Sequence, residues 1–369
     1  MKLTVDSKQL SELLQTVGSA LASNPIIPIM ENYKIEVVED KVIATATDGQ
    51  VTIKSHILNT SLEAFSFCVG SKLFTTVKSL PQQPLTLTYD YNKSVLVVKT
   101  ATGRYRLPTQ DVEDFPELQE FGSNGLDFTG QEAIEMLSAY NLASNDMLRD
   151  NLRCIFFDKE KNCIAATDAH KLIKMEDATG KLYNLDHSML VPKDTCKKVL
   201  SLIKVNDNVN IKSGPNKVSF EIGNTQVSAT LVDANYPDYN AVIPKEQNTN
   251  THASIDKVSL QRMLKRIMPY TSKSTSSIRL TFTKDTLTIT AEDLDMGNKA
   301  TETISVQYQY DNPFVIGFNA KFLLDVLNQL STDSINIKME DHNRPMVFQE
   351  DGNDNKVCIL MPVMLHDIN

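Results

Sequence analysis

The chain has 369 residues, of which 41% are apolar and 22% are charged, and its formal net charge is −9. This length suits two or three domains, and this composition is typical of a folded globular protein and excludes a disordered one. No segment is long and apolar enough to cross a bilayer, and the N-terminus lacks the apolar core of a secretory signal, so the sequence predicts a cytoplasmic location without membrane association.

The first third of the chain has a pattern typical of an amphipathic helix followed by strands. β-branched, alternating runs such as 85–89 and 95–98 are bounded by turn residues and indicate antiparallel strands with one covered face. The helix is indicated by apolar residues at the three- and four-residue spacing of one helix face: Leu10, Leu13, Leu14, Val17 and Leu21.

Two later segments repeat this helical opening. Thr129 and Glu132 have the spacing of a capping box at the start of a second helix. The apolar face of that helix comprises Ala133, Ile134, Leu137 and Tyr140. In the last third of the chain the same stripe comprises Leu260, Met263, Leu264, Ile267 and Met268.

Other patterns recur at the same period. Apolar strands end in an acid at Asp48, Asp168 and Asp293, at intervals of 120 and 125 residues. A strand that runs into a helix recurs at 67–74, 189–194 and 314–319, and the aromatic-proline pairs 115–116 and 236–237 are 121 residues apart. The repeat predicts an α+β fold of three tandem domains, 1–122, 125–247 and 250–369, with polar boundaries near 122–124 and 245–251.

The cysteines and histidines do not indicate a metal or redox site. The five cysteines are scattered without C-x-x-C spacing, so we expect buried, reduced thiols. The six histidines lack metal-ligand spacing. The sequence therefore predicts no metal and no cofactor.

Basic residues concentrate on predicted helix faces, although the chain is acidic. Each face taken alone fits an ordinary solvated surface. Together they favour a surface that contacts phosphates without reading base sequence, because no base-reading helix or aromatic stacking motif is visible. Lys193, Lys197 and Lys204 are expected on one side of the second helix of the second repeat. The residues expected to face DNA are Lys72, Lys78, Lys193, Lys197, Lys204, Arg262, Lys265 and Arg266.

One pair of residues suggests an enzyme. Asp168 and His170 are two residues apart and could act as orienter and base in a hydrolase or transferase. The chain contains no nucleophile elbow, P-loop, dinucleotide fingerprint or H-E-x-x-H motif, so we expect no enzymatic activity. A repeat scaffold without a DNA role is a third possibility that the repeat alone leaves open.

Five motifs, in order along nearly the whole chain, resemble the bacterial DNA polymerase III beta subunit family, the processivity clamps. The family's A-T-D-G-H-R-L motif is matched by residues 166–172. The remaining matches are D-F-P-E-L at 114–118, Y-P-D-Y at 236–239 with V-I-P at 242–244, G-F-N-A-K-F-L-L at 317–324 and M-P-V-M-L at 361–365.

The resemblance implies a sliding clamp for DNA replication. Two subunits would close head to tail into a ring, with sheets outside and two helices per domain lining a central pore that encircles duplex DNA. The implied partners are double-stranded DNA, the DNA polymerase III alpha subunit, the clamp loader and other clamp-binding proteins. For the subunit interface, the resemblance implies that Tyr105 and Leu107 face Pro269 and Tyr270.

The resemblance also implies a pocket between the second and third domains that binds a short peptide from each partner. Its implied residues are Leu152, Thr167, Ala169, His170, Lys171, Leu172, Pro237, Ala241, Val242, Asn319, Phe322, Pro345, Ile359, Leu360, Met361, Pro362 and Val363. Without the family, each aliphatic member fits an ordinary core position equally well. Lys171 and Met364 stand where the family usually has Arg, Ala169 where it has Gly, and four residues, 366–369, follow the usual end. These departures alter polar contacts to a ligand and place a tail near the pocket.

Overall fold

The structure is a computed structural model that describes residues 1–59, 63–116, 121, 125–245 and 251–365. Several sequence expectations lie outside these residues. They are Glu117 and Leu118 of the acidic loop, the boundary positions 122–124 and 246–250, and the tail from His366 to Asn369.

Six α-helices lie within the described residues, two in each predicted domain. Asp6 caps α1 by accepting the amides of Lys8 and Gln9, and Asp256 caps α5 in the same way. The capping box at α3 is confirmed: the Thr129 amide donates to Glu132 Oε2 at 2.7 Å, and the Glu132 amide donates to Thr129 Oγ1 at 3.2 Å. The helices are α1 (Ser7–Gly18), α2 (Lys72–Lys78), α3 (Gly130–Ser138), α4 (Lys193–Leu200), α5 (Lys257–Ile267) and α6 (Ala320–Leu327).

The helices are shorter than the apolar stripes predict. Leu21 lies beyond α1, and Tyr140 lies in the 3-10 turn Ala139–Leu142. Met268 begins the 3-10 turn Met268–Tyr270, since Pro269 has no amide proton to continue the ladder. Lys204 was expected on the same helix as Lys193, but α4 ends at Leu200 and Lys204 lies in the turn that follows, so that expectation is wrong.

The strands follow the alternating and apolar runs. From 1 to 116 they are β1 (Lys2–Asp6), β2 (Asn32–Val38), β3 (Lys41–Thr47), β4 (Val51–Leu58), β5 (Phe65–Gly70), β6 (Pro84–Asp90), β7 (Val95–Lys99) and β8 (Arg104–Gln110). From 125 to 245 they are β9 (Leu126–Thr129), β10 (Cys154–Asp158), β11 (Cys163–Thr167), β12 (Lys171–Glu176), β13 (Met189–Pro192), β14 (Asn208–Ser213), β15 (Lys217–Ile222) and β16 (Thr225–Thr230). From 251 onward they are β17 (Thr251–Asp256), β18 (Ser277–Phe282), β19 (Thr286–Asp293), β20 (Asn298–Ser305), β21 (Gln307–Tyr308), β22 (Phe314–Asn319), β23 (Ser334–Met339), β24 (Met346–Glu350) and β25 (Asn353–Leu360).

The chain divides into two compact units, Met1–Ile134 with Lys197–Leu231 and Glu135–Cys196 with Val232–Asn369. The first unit contains one sheet, β1-β6-β7-β8-β5-β2-β3-β4-β16-β15-β14-β9. The second contains the sheets β13-β10-β11-β12-β25-β24-β23-β17-β21 and β20-β19-β18-β22. The strand pairs of the described residues are antiparallel, which confirms the expected α+β class.

The sheets continue across the predicted domain boundaries. In the first unit, β4 of the first repeat pairs with β16 of the second, and in the second unit, β12 pairs with β25 of the third. The recurring strand-and-acid pattern corresponds to β3, β11 and β19, and the strand-and-helix pattern to β5 with α2, β13 with α4 and β22 with α6. The repeat is therefore structural, while its division into three tandem domains stays a prediction.

The described residues agree with the expectations about cysteines. All five are buried and free of disulfides. Burial raises the pKa of the Cys68 thiol to about 12, so it stays protonated at neutral pH. Among the described residues no His, Cys, Asp or Glu cluster could hold a metal ion, and none of the described helices has the length and hydropathy to span a membrane.

Candidate functional site

The β12–β25 ladder brings two parts of the expected site together in the second unit. Lys171 pairs with Leu360 and Leu172 with Ile359. One residue further, the Met361 amide donates to the His170 carbonyl at 2.8 Å. The 167–172 hairpin and the 359–363 segment, which are far apart in sequence, are therefore neighbours.

The turn between β11 and β12 is held by its own side chains. Thr167 Oγ1 donates to the Lys171 carbonyl at 2.8 Å and accepts the Ala169 amide at 3.1 Å. Asp168 Oδ1 accepts the amides of His170 and Lys171, both at 2.9 Å. Ala169 has φ +78°, in the left-handed region that favours glycine, and the turn leaves His170 exposed.

The enzyme alternative requires Asp168 to orient the imidazole of His170. Instead, Asp168 bonds the backbone amide of His170 through one oxygen and pairs with Lys171 Nζ at 3.0 Å through the other. Both carboxylate oxygens serve the turn, so the observed contacts do not form an Asp–His dyad.

Lys171 is a buried charge beneath the site, with 6% of its side chain exposed. Its ammonium also lies 2.9 Å from Asp325 Oδ2 and 4.6 Å from the centre of the Phe322 ring. That ring stacks on His170, with centroids 5.6 Å apart and 20° between the planes. Two carboxylates and an aromatic ring therefore compensate the lysine, and the same ring contacts the exposed imidazole.

Asn319 was expected among the pocket residues, and its side chain has a local role. Its Oδ1 accepts the amides of Lys321 and Phe322 and so caps α6. Its Nδ2 donates to the Thr275 carbonyl at 2.8 Å. Asn319 thus fixes the start of α6, the helix that carries Phe322 and Asp325.

The segment 361–365 lies against the edge of β22. The Val363 amide donates to the Gly317 carbonyl at 2.8 Å. A Cβ added at Gly317 would lie 2.6 Å from the Val363 oxygen and 2.7 Å from Leu365 Cδ2. Only glycine allows this approach. In the same segment, Met361 is partly exposed and Met364 is almost fully exposed.

Burial sorts the expected pocket residues into a surface and a support. Tyr239 packs with Leu172 and Ile359 in one core cluster, which places its turn beside the ladder. The exposed members are Ala169, His170, Pro237, Ala241, Val242 and Met361, and the half-buried ones are Asn319, Phe322, Pro345, Pro362 and Val363. The buried members are Leu152, Thr167, Lys171, Leu172, Ile359 and Leu360. Leu172, Ile359 and Leu360 were expected to line the pocket, but at 2% exposure or less they form core, Leu172 and Ile359 in the cluster that contains Tyr239.

Sequence models of three domains match the chain in order. They are described as the N-terminal, central and C-terminal domains of the DNA polymerase III beta subunit, and they match residues 1–119, 139–238 and 240–364. The chain belongs to the DNA polymerase III beta subunit family. This confirms the resemblance that the five motifs indicated.

Individual relatives of this beta-subunit chain agree over the full length. It is 27% identical to the beta sliding clamp of Proteus mirabilis and 25% identical to that of Escherichia coli K12, each over 99% of this chain and 100% of the relative. The solved DNA polymerase sliding clamp of Bacillus subtilis matches with a TM-score of 0.92 at 21% identity, and a Pseudomonas aeruginosa sliding clamp with 0.90 at 24%. Both structural matches cover 99% of this chain and all of the other, which shows a shared fold.

The sequence analysis did not identify two residues of the candidate site, Asp325 and Gly317. Asp325 compensates Lys171, and its signal was a lone acid inside the apolar run of α6. Gly317 admits the 361–365 segment, and its signal was a glycine inside a strand, which often marks close backbone approach. Neither signal identifies the contacting residue, because Lys171 is distant in sequence from Asp325, and Val363 is distant from Gly317.

The basic residues expected to face DNA differ in their contacts. Lys72, Lys78, Lys197, Lys204, Arg262 and Lys265 are exposed. Arg266 is also exposed, but its guanidinium forms a bidentate pair with Glu302 on β20. Lys193 departs from the expectation, because its ammonium donates to three oxygen atoms of the 143–145 segment. Its charge is thus committed within the protein.

The expected interface residues lie at different depths. Tyr105 and Tyr270 are exposed, as is Pro269, but Leu107 is only 8% exposed and packs inward. Within the described residues, positions 104–107 of β8 pair with β7 on one side, while β5 pairs only with Thr109 and Gln110. Among the residues that the structure describes, this part of β8 therefore has an unpaired edge.

Proposed function

We propose that this protein is a sliding clamp of DNA replication, which binds DNA by encirclement and catalyses no reaction. The observation that carries the proposal is the match, in order, to three domain models of one polymerase subunit over residues 1–119, 139–238 and 240–364. Two copies would close into a ring of six domains, with domain limits near 122–124 and 245–251. A clamp of this kind works on duplex DNA in the cytoplasm.

The β12–β25 site is proposed as the point where partners are tethered. His170, Val242 and Met361 are exposed, His170 stacks on half-buried Phe322, and the hydrogen-bonded turn holds His170 in place. Burying one large apolar side chain there would contribute roughly 1.5–3 kcal/mol before ordering costs. Two anchors would supply roughly 3–6 of the about 8 kcal/mol that micromolar affinity requires, which suits exchangeable binding of peptides from the DNA polymerase III alpha subunit, the clamp loader and other clamp-binding proteins.

The DNA contacts are proposed to come from exposed basic residues that act through charge alone. Lys72, Lys78, Lys197, Arg262 and Lys265 are exposed, without a described ion pair. Lys204 joins them from the turn after α4, and Arg266 retains part of its attraction beside Glu302. Such contacts are sequence-blind and weaken steeply with salt.

The dimer is proposed to form by edge pairing. Tyr105 and the free edge of β8 would meet the Pro269–Tyr270 turn of a second copy, and Leu107 would support the edge from beneath. Sedimentation at micromolar concentration should report a dimer, and charge-reversal at the exposed basic residues should leave that dimer intact.

The proposed function is tested by peptide binding to the full-length protein. A labelled peptide from a polymerase subunit, with two adjacent large apolar residues, should bind with micromolar affinity in fluorescence anisotropy. Phe322→Ala should weaken binding at least tenfold, because the ring supports His170 and covers Lys171.

The matched control is Phe74→Ala on α2, which also removes a half-buried ring beneath a lysine, in this case Lys78 at 5.4 Å. It should leave peptide affinity unchanged. Equal loss in both variants, or undiminished binding by the Phe322 variant, would place the partner site elsewhere.

A further inference from the structure

Lys193, the first residue of α4, uses its ammonium inside the protein. Nζ donates to the carbonyl of Ala143 at 3.3 Å, the carbonyl of Ser144 at 3.1 Å and Oδ1 of Asn145 at 2.6 Å. An ammonium has three donors, so these contacts use all of them. A phosphate would have to displace bonds that already hold this charge.

The segment held by Lys193 is closed by further bonds. The Ser144 amide donates to the Leu152 carbonyl at 2.8 Å, which brings the ends of the loop together. Arg153 Nη2 lies 3.3 Å from Asp194 Oδ2. The first two residues of α4 therefore hold both ends of the 143–153 loop, Lys193 at its start and Asp194 at its end.

This loop leads directly to the peptide site. Leu152 is one of the buried members of the site, and Asn151 Nδ2 donates to the Asn235 carbonyl at 2.9 Å, just before Tyr236 and Pro237. Burial lowers the pKa of Lys193, and the nearby charges of Lys171 and Arg153 lower it as well, against the attraction of Asp194 and Asp168.

We propose that Lys193 is a positioning residue of the peptide site and does not contact DNA. It fixes the 143–153 loop and thereby the position of Leu152 and of the chain leading to Pro237. This inference rests on the proposed function, since it assumes that the β12–β25 site binds a peptide. It reassigns one member of the basic set that the sequence predicted to face DNA.

The experiment compares Lys193→Gln with Lys197→Gln, one turn away on the same helix and exposed. Both remove one positive charge. Lys193→Gln should weaken binding of the polymerase-derived peptide about tenfold and leave the salt dependence of DNA binding unchanged. Lys197→Gln should keep the peptide affinity and reduce the slope of log K against log salt by about one.

Two further variants separate positioning from folding. Lys193→Arg can still donate to the loop carbonyls and should retain most of the affinity. Asn145→Ala removes one acceptor and leaves the lysine, so it should weaken peptide binding about threefold. The double variant with Lys193→Gln and Asn145→Ala should bind the peptide no more weakly than Lys193→Gln alone.

The outcomes are distinguishable. If the wild-type dimer binds no peptide, the proposed function and this inference both fail. If the wild type binds while Lys193→Gln binds equally well and reduces the salt slope as Lys197→Gln does, only this inference is overturned, and Lys193 returns to the DNA-facing set.

Discussion

A hairpin pairs with the last strand of the next repeat at two places, β4–β16 (the first junction) and β12–β25 (the second junction). The two junctions have the same backbone hydrogen bonds and different side chains. At β4–β16 the Thr230 amide donates to the Gln50 carbonyl at 3.0 Å, as the Met361 amide donates to His170 at β12–β25. Asp48 accepts the amides of Gln50 and Val51, as Asp168 accepts those of His170 and Lys171. The Thr-Asp turn is therefore a repeated unit of local hydrogen bonds.

The side chains around these turns differ in charge placement. At the first junction the lysine is Lys198 on α4, 2.7 Å from Asp48, with roughly a quarter of each side chain exposed. At the second, Lys171 lies on the strand, is almost completely buried and has two carboxylate partners. His170 and Phe322 add a stacked pair there, where the first junction has Gln50. The same backbone thus carries, at the second junction, the side chains of the proposed binding surface.

Removing each lysine should give the largest difference between the junctions. Lys171→Met leaves Asp168, which is 13% exposed, without its cation and should lower the free energy of unfolding by roughly 3 kcal/mol. Lys198→Met breaks a partly exposed pair and should cost about 1 kcal/mol or less. Urea denaturation at neutral pH measures both. Equal losses would mean that burial of Lys171 does not distinguish the second junction.

The close approach at Gly317 should matter only for the second junction. Gly317→Ala would force the Val363 oxygen and Leu365 away, at a cost of about 1–3 kcal/mol, and should weaken peptide binding several-fold. Gly70→Ala, in the corresponding strand of the first repeat, is the control, since its nearest contact would be Asn32 Oδ1 at 3.5 Å. Anisotropy and thermal melts on both variants test this. A Gly317 variant with wild-type affinity would contradict the role of the segment.

The turns themselves should respond in opposite directions to the same exchange. Gly49 has φ +89° and Ala169 has φ +78°, so both occupy the left-handed region. Gly49→Ala should destabilise the first turn by roughly 1–2 kcal/mol through its new Cβ. Ala169→Gly should stabilise the second turn, because glycine adopts a positive φ without strain. The gain should be at most about 1 kcal/mol, because glycine also loses more backbone entropy on folding. Calorimetry on both proteins measures the sign, and a rise in Tm for both would refute the shared geometry.

Acid should affect the first junction slightly through Asp48. Burial alone would raise the pKa of Asp48, but hydrogen bonds from Lys198, Val51 and Gln50 and the charge of Lys198 lower it below the ordinary value of 3.8. A carboxyl whose pKa is lower in the folded state stabilises above its unfolded pKa, and this stabilisation is lost as the pH falls through the folded pKa. Wild type should therefore lose slightly more stability than Asp48→Asn between pH 5 and 3, as measured by urea denaturation. Parallel pH profiles would exclude this linkage.

Much of the fold follows from the sequence because its signals are local. The capping box at Thr129, the apolar stripes of α1 and α5 and the alternation of β18 each depend on spacing over a few residues. The repeat of acid-ending strands identified equivalent elements for the same reason. Helix ends were overextended at Leu21, Tyr140 and Lys204, since an apolar or basic residue can continue a stripe after the backbone has left the helix.

The candidate site was only partly predictable, because its members are joined by tertiary contacts. The motifs placed His170 and Phe322 at one site, but the sequence did not determine that their rings stack, that Lys171 pairs with Asp325 or that Asn319 serves as a cap. It also gave Lys193 and Lys197 the same helix face and the same expected role. The structure shows that Lys193 forms its hydrogen bonds within the protein, with the 143–145 loop, whose first residue is 50 positions away in sequence. Local spacing carries no information about a contact between residues so far apart.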